Sequence, residues 1–330
     1  MDFSKLITCC AFALSFAFLT SCGSESGGSY SRSETLYLSG SQWGDPSTFN
    51  LLANSWEVAW PANDRFNIMY EPIIAYNSIT GANEPLLGAL VQYDTEKVVV
   101  DIQPEARWSD GVPVTSADVK FVYELGERFP EQASSVYAGI RQVVSEVKVE
   151  TVNNVERLTF IVNKEARNNP LLVLDLLQAI RIIPAHVFEK YLAENNNDLD
   201  AVKKIKCDEK PVVSGPYNLK HYNNERIILE RRDDYWGNKV LYDGELPTPK
   251  YIIHPIYKNN DHFAVNLQKG ALDASMNYIP RISEMKKDGV RTWFDDPPYF
   301  IPGSMHFLYL NNTKAPLNDK KLPPPLWLPP

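Results

Sequence analysis

The sequence contains little cysteine and little histidine, and each shortage excludes a class of protein. Three of its four cysteines lie within the first 22 positions, so Cys207 is alone in the body of the chain and cannot form an internal disulfide. Cys207 sits in a charged stretch without a nearby histidine, which favours an idle or buried thiol over a nucleophile. The histidines lack the spacing of a metal site, so we expect neither a metal nor a cofactor: His186, His221, His254, His262 and His306.

Positive charge, catalytic motifs and long apolar segments are also scarce. Lysine and arginine number 33 against 41 acidic residues, and the net charge of −8 argues against nucleic acid as a partner. No Gly-x-Ser-x-Gly, His-Glu-x-x-His or Cys–His pattern occurs, so we expect no enzyme. Beyond the N-terminal leader, no apolar run reaches the length that spans a bilayer.

The N-terminal segment has the layout of a lipoprotein leader. Lys5 precedes an apolar run from Leu6 to Leu19, and the following Thr-Ser-Cys completes a sequence similar to the bacterial lipobox. We therefore predict a signal peptide over residues 1–21, a lipid anchor on Cys22 and a flexible Ser/Gly-rich tether over residues 22–34. The alternative is an ordinary signal peptide with a cysteine near its cleavage point.

Strand and helix patterns interleave along the rest of the chain, which predicts a mixed α/β (α+β) fold. "ETLYLSGSQWG" and "KVVVDIQ" are typical of strands, and hairpins are predicted at Asn153-Asn154 and Asn223-Asn224. Thr115 and Asp118 have the spacing of a capping box, which predicts a helix in "TSADVKFVYELGERF". Further helices are predicted in "PAHVFEKYLAENN" and in "DHFAVNLQKGALDAS", the latter ending at Gly270 before a short strand.

Short motifs in a fixed order resemble those of the family 5 extracellular solute-binding proteins, the peptide-type receptors of ABC importers. Each motif alone is a turn or corner that fixes a fold, but the order is specific. The matching residues are Tyr70-Glu71-Pro72, Thr80-Gly81, Trp108-Ser109-Asp110-Gly111, Asp118-Val119, Gly215-Pro216-Tyr217 and Tyr235-Trp236-Gly237.

The resemblance implies a periplasmic-binding-protein-like type II fold with two lobes. We expect the first lobe over residues 35–265, including the family's extra subdomain at roughly 60–210, and the start of a second lobe over 266–316. A proline-rich tail over 317–330 replaces the usual continuation, so we predict a premature end with most of the second lobe missing, and weak or no ligand binding. The alternative is a natural short form whose polyproline II tail binds a partner.

A finer resemblance concerns the ligand. "SGSQWGDPSTFNLLANSW" and "DPPYFIPGSMHFLYLNNTKAPLND" are more similar to the oligosaccharide-binding branch than to the peptide-binding branch. Sugars stack on aromatic planes while amides bind their hydroxyls. The candidate ligand-binding residues are Trp43, Asn50, Trp56, Trp60, Asn277 and Tyr278. Trp56 and Trp60, four positions apart, would share one face if the segment is a helix, and the alternative is packing in the core or at a crevice rim.

The predicted function is that of a lipid-anchored, monomeric receptor facing the periplasm or the cell exterior. It would capture oligosaccharides or oligopeptides and deliver them to an ABC permease and its ATPase. Three alternatives stay open from sequence: a lipid-anchored glycosidase using two carboxylates, a structural surface lipoprotein, and a receptor for metal complexes such as those of nickel.

Overall fold

A computed structural model describes residues 30–64, 66–166, 169–277, 279, 281–299, 311, 313–315 and 318. Its strands are Thr35–Ser39 (β1), Ile74–Asn77 (β2), Ala82–Pro85 (β3), Gly88–Tyr93 (β4), Lys97–Ile102 (β5), Val144–Val152 (β6), Val155–Val162 (β7), Tyr217–Tyr222 (β8), Arg226–Arg231 (β9), Tyr251–Pro255 (β10) and Ala274–Ser275 (β11). Its α-helices are Ser116–Arg128 (α1), Ser135–Val143 (α2), Pro170–Ala179 (α3), Ala185–Glu194 (α4), Leu199–Val202 (α5), Trp236–Leu241 (α6), Asn260–Gln268 (α7) and Ile282–Met285 (α8).

A five-stranded mixed sheet has the order β11-β1-β10-β9-β8. Strand β1 is parallel to both β10 and β11, while β9 runs antiparallel to β10 and to β8. The carboxyl ends of the three parallel strands therefore meet at one edge of the sheet. In open α/β sheets this edge is where ligands bind.

The second sheet is antiparallel, with the order β4-β5-β7-β6, and a separate hairpin pairs β2 with β3. The predicted turn between β6 and β7 is confirmed: Asn153 and Asn154 have φ values of 51° and 63°. Asparagine tolerates this left-handed region better than most residues, which explains why the chain reverses there. One cluster of buried hydrophobic residues joins both sheets into a common core.

Helix α1 begins at the predicted capping box, where the Thr115 N–H donates to Asp118 Oδ2 at 2.8 Å. The predicted apolar face is buried, with Val119, Val122 and Tyr123 in the core. Gly126 lies against α2, and a Cβ added there would be 2.5 Å from the carbonyl oxygen of Tyr137. The two helices can approach this closely only because Gly126 has no side chain.

The predicted elements around the later hairpin and helices are also present. Strands β8 and β9 flank Asn223-Asn224, α4 starts after Pro184, and α7 is followed by Gly270 with φ 73° and then by β11. Strand β11 falls inside the range 266–316 predicted as the start of a second lobe, yet it pairs with β1. The tail predicted over 317–330 lies outside the described residues, Asn318 excepted.

Candidate functional site

A cleft of about 240 Å³ is built from three segments that are distant in the sequence. We call it the Trp56 cleft because Trp56, one of the predicted ligand-binding residues, is 81% exposed at its wall. An exposed aromatic plane at the wall of a cleft can contact a ligand. The lining residues are Leu51, Ala53, Asn54, Ser55, Trp56, Val58, Asn63, Ser134, Ser135, Val136, Tyr137, Ala179, Ile180 and Arg181.

Hydrogen bonds of the buried Asn50 side chain hold the loop that carries Trp56. Asn50 is fully buried, its Nδ2 donates to the carbonyl oxygens of Val202 at 2.9 Å and Ile205 at 3.0 Å, and its Oδ1 accepts from the Leu52 N–H. The amide is thus fully occupied by backbone groups. The prediction that Asn50 contacts ligand is at odds with this position, and the residue instead supports the cleft wall.

The polar groups of the cleft are mostly uncharged. Asn54, Asn63 and the Ser134-Ser135 pair supply amide and hydroxyl groups beside the indole of Trp56. Among the described lining residues Arg181 is the one cation, and its Nη1 is held by the carbonyl oxygens of Gln178 at 3.1 Å and Ala179 at 2.8 Å. An aromatic plane with amides and hydroxyls around it suits the faces and hydroxyl groups of a sugar, and also the amide groups of a peptide.

The charged residues Arg181 and Asp64 contact each other at the same wall of the cleft. Arg181 Nη2 donates to the carbonyl oxygen of Asp64, and burial lowers the pKa of the Arg181 guanidinium. Burial also raises the pKa of the Asp64 carboxyl to about 6, although that carboxyl accepts the Phe66 N–H. Arg181 and Asp64 therefore hold the loop around Asp64 against the end of α3.

A second group of predicted residues meets at the carboxyl ends of β1, β10 and β11. Gly40 follows β1 with φ 104°, and a Cβ there would be 2.9 Å from the backbone nitrogen of Asn277, which follows β11. The Asn277 side chain donates to Asn260 Oδ1 at 2.9 Å. Trp43, 42% exposed, lies with its ring centroid 6.4 Å from that of Phe263 on α7. We call this group the sheet-edge cluster.

Trp60 and His254 form the floor of the sheet-edge cluster. Trp60 is only 4% exposed and follows a turn rather than a helix, and its ring centroid lies 4.7 Å from that of His254 with the ring planes tilted by 42°. The prediction that Trp56 and Trp60 share a helix face is therefore wrong: the first is exposed and the second buried. The bridge between Thr48 and Val58 shapes this segment as an irregular loop.

Sequence reasoning missed several residues that the structure brings to these places. Arg181 and the start of α2 at Ser134–Tyr137 line the Trp56 cleft, and His254 contacts the loop of the sheet-edge cluster. No local pattern marks them, because their neighbours in space come from distant segments. Two predicted residues, Tyr278 and the lipidation site Cys22, lie outside the described residues.

The described residues contain no group of three or more His, Cys, Asp and Glu side chains placed to hold a metal ion. Cys207 is half-buried, and burial raises the pKa of its thiol to about 12, so the thiolate is scarce at neutral pH. None of the helices in the described part of the chain has the length and apolar character of a membrane-spanning segment.

Comparison with solved structures supports the fold. An oligopeptide ABC transporter periplasmic binding protein from Thermotoga maritima, solved with mannohexaose bound, superimposes with a TM-score of 0.74 at 26% identity. The match covers 88% of this chain and 50% of that one. The Bacillus subtilis oligopeptide-binding protein AppA, in complex with a nonapeptide, matches at 19% identity with a TM-score of 0.57, and covers 77% of this chain and 45% of that one.

Two relatives found by sequence are also binding proteins by name. The peptidoglycan-binding protein YepA of Agrobacterium fabrum is 33% identical over 185 residues, 53% of this chain and 26% of the relative. The periplasmic oligopeptide-binding protein OppA of Escherichia coli is 25% identical over 252 residues, 72% of this chain and 43% of the relative. The chain therefore matches about half or less of the length of these proteins, all of them binding proteins by name.

The family comparison covers most of the chain. Residues 51–322 match the bacterial extracellular solute-binding proteins, family 5. The resemblance predicted from the spaced motifs and the type II periplasmic-binding-protein fold are both confirmed. This protein belongs to the bacterial extracellular solute-binding proteins, family 5.

Proposed function

We propose that this chain provides the ligand-binding surface of a receptor that captures oligosaccharides outside the cytoplasmic membrane and delivers them to an ABC permease. The observation that carries the proposal is the Trp56 cleft, in which an exposed indole stands among amides and hydroxyls. Stacking on an aromatic plane together with hydrogen bonds to hydroxyls is how proteins recognise sugars. A relative solved with mannohexaose bound, at 26% identity, adds support.

Oligopeptides are the second candidate ligand. The relative from Escherichia coli is named for binding oligopeptides, and the amides of Asn54 and Asn63 could equally bond a peptide backbone. Arg181 is a cation that would favour a carboxylate at one end of such a ligand. A peptide ligand should therefore depend on Arg181, whereas a neutral oligosaccharide should depend chiefly on Trp56.

The proposal also includes attachment of the receptor to a membrane through lipid on Cys22. The lipobox-like sequence supports it, and two or three acyl chains would make the attachment durable. Mass spectrometry of the mature N-terminus extracted from membranes tests this part. A lipidated cysteine at position 22 is expected, and an unmodified N-terminus would contradict it.

Periplasmic binding proteins bind their ligand by closing two lobes around it. The chain spans half the length of the mannohexaose-bound relative, and ligand binding is tested on the 330-residue chain itself. Saturation-transfer NMR detects weak ligands and can compare mannohexaose, cellopentaose and tripeptides under one set of conditions. Transfer to an oligosaccharide is expected. Transfer to none of these ligands would contradict the proposal, transfer to peptides alone would favour the second candidate, and hydrolysis of a sugar would indicate an enzyme.

A further inference from the structure

His254, which has no role assigned above beyond the floor of the sheet-edge cluster, makes an unusual pair of contacts. Its Nε2 accepts the backbone N–H of Ser41 at 3.1 Å and that of Gln42 at 3.3 Å. Both donors belong to the loop that follows β1 and leads to Trp43. A ring nitrogen that accepts hydrogen bonds is unprotonated, so the geometry assigns the neutral tautomer with its proton on Nδ1.

The surroundings favour that neutral form. The ring is fully buried between the end of β10 and Trp60, and burial lowers the pKa of His254 to about 4. No charged side chain among the described residues contributes to the pKa of His254: loss of water lowers it, and hydrogen bonds to the backbone of His254 and Pro255 oppose that effect in part. At neutral pH, His254 Nε2 is therefore unprotonated and accepts the N–H groups of Ser41 and Gln42.

The loop has few other contacts with its surroundings. Gln42 Oε1 accepts the Trp60 N–H at 3.0 Å, and the Ser41 hydroxyl reaches Met276 Sδ at 3.4 Å, a weak contact. Gly40 permits the close approach to Asn277 but contributes no side chain of its own. His254 therefore supplies two of the hydrogen bonds that define where the backbone leading to Trp43 lies.

We propose that His254 is a positioning residue of the receptor: its Nε2 fixes the backbone of Ser41 and Gln42, and thereby places Trp43 at the sheet edge as a second ligand contact in addition to the Trp56 cleft. The position of the loop is supported by the two hydrogen bonds of His254. The effect of this position on ligand binding rests on the proposed function. The two parts can be tested separately.

The test compares two polar substitutions of the full chain. In His254→Gln the amide oxygen can reach the position of Nε2, whereas in His254→Asn the shorter side chain reaches only that of Nδ1. Hydrogen–deuterium exchange at pH 7.5 is followed in peptides that cover residues 38–44. We expect His254→Asn to speed exchange at Ser41 and Gln42 by about tenfold, the factor for one hydrogen bond, and His254→Gln to restore most of the protection.

His221→Gln is the matched control, because His221 lies on β8 at the opposite edge of the same sheet. It should leave exchange at residues 38–44 unchanged. Equal exchange in the Asn and Gln variants, or a loss of protection spread over β8 to β10, would overturn the proposal in favour of a purely structural histidine. Failure of both variants to fold would overturn it in the same way.

The ligand part uses mannohexaose as the probe. We expect saturation transfer to mannohexaose to fall at least threefold in His254→Asn and to recover in His254→Gln. If the exchange results are as expected but the wild-type chain shows no transfer to any ligand tested, the positioning role holds and the proposed function fails. If mannohexaose binds and the Asn variant changes neither exchange nor transfer, the positioning role fails and the proposed function holds.

Discussion

The hydroxyl of Tyr235 donates a hydrogen bond to Glu71, a residue 164 positions earlier in the chain, and both side chains are buried. Ser214 completes the group, since its hydroxyl accepts the Glu71 N–H at 3.0 Å. Two of the family motifs identified from sequence therefore meet at Glu71, and Ser214, the residue before a third motif, bonds to its backbone. The motifs hold the segments around β8 and α6 against the segment that leads into β2, which is a structural role.

Glu71 gives a prediction about pH. Burial raises the pKa of its carboxyl to about 8, so the folded protein keeps a proton there that the unfolded chain loses near its ordinary pKa of about 4.3. Since the folded state binds more protons between these values, its stability falls as pH rises from 5 to 8. We expect the wild type to lose at least about 2 kcal/mol more than Glu71→Gln over that interval in urea unfolding. Parallel pH profiles of the two proteins would show that Glu71 is ionised in the fold.

Asp118 gives a prediction about stability. Its carboxylate accepts from the Thr115 N–H, from Trp108 Nε1 at 3.3 Å and from the Ala185 N–H at 2.8 Å, so it joins two helices and a turn. We expect Asp118→Ala to destabilise the protein by about 2–4 kcal/mol, because a cap is lost and buried donors are left without an acceptor.

Glu124→Ala on the same helix is the control for Asp118. Glu124 forms a surface pair with Lys120 at 3.2 Å, and its loss should cost less than about 1 kcal/mol. Equal midpoints for the two variants in chemical denaturation would contradict the capping role.

Two glycines test the packing of α1 on α2. A Cβ on Gly126 would meet the Tyr137 carbonyl oxygen at 2.5 Å and the Ala138 Cα at 2.7 Å, whereas a Cβ on Gly139 meets nothing within 4 Å. Gly126→Ala should lower the free energy of unfolding by about 1–3 kcal/mol through forced separation of the helices. Gly139→Ala should be neutral or raise it by up to about 1 kcal/mol, since alanine favours the helix. The opposite order in thermal unfolding would be incompatible with this packing.

Substitution of Asn50 distinguishes a residue that supports the fold from one that contacts ligand. Because its amide bonds buried carbonyl oxygens, Asn50→Ala should destabilise the fold by about 1–3 kcal/mol. A residue at the ligand surface would instead change binding and leave the melting temperature unaltered. Differential scanning calorimetry distinguishes these outcomes, and an unshifted transition would restore Asn50 as a candidate for ligand contact.

Local chemistry determined which parts of the fold could be predicted. The Asn153-Asn154 turn, the Thr115 capping box and the Gly270 helix end depend on residues adjacent in sequence, and all three are present. Helices α2 and α3 were not predicted. The sequence "PLLVLDLLQA" of α3 is apolar on almost every side and so lacks the 3.6-residue alternation that marks a helix.

The candidate site was less accessible from sequence because its geometry is not local. Trp56 could be nominated from residue type alone, but the cleft around it requires the start of α2 at Ser134 and the end of α3 near Arg181. His254 meets the Ser41 N–H from 213 positions away. Spacing rules act over a helical turn or a strand, and they carry no information about such pairs.

The most direct test of the account is the effect of Trp56→Ala on saturation transfer from the full chain to mannohexaose. Tyr76→Ala is the control, because Tyr76 is also exposed but lies on the β2–β3 hairpin outside the cleft. Both variants should melt within a few degrees of the wild type. We expect transfer to be lost in Trp56→Ala and kept in Tyr76→Ala. Undiminished transfer in Trp56→Ala would contradict the assignment of the Trp56 cleft as the place where this receptor holds its ligand.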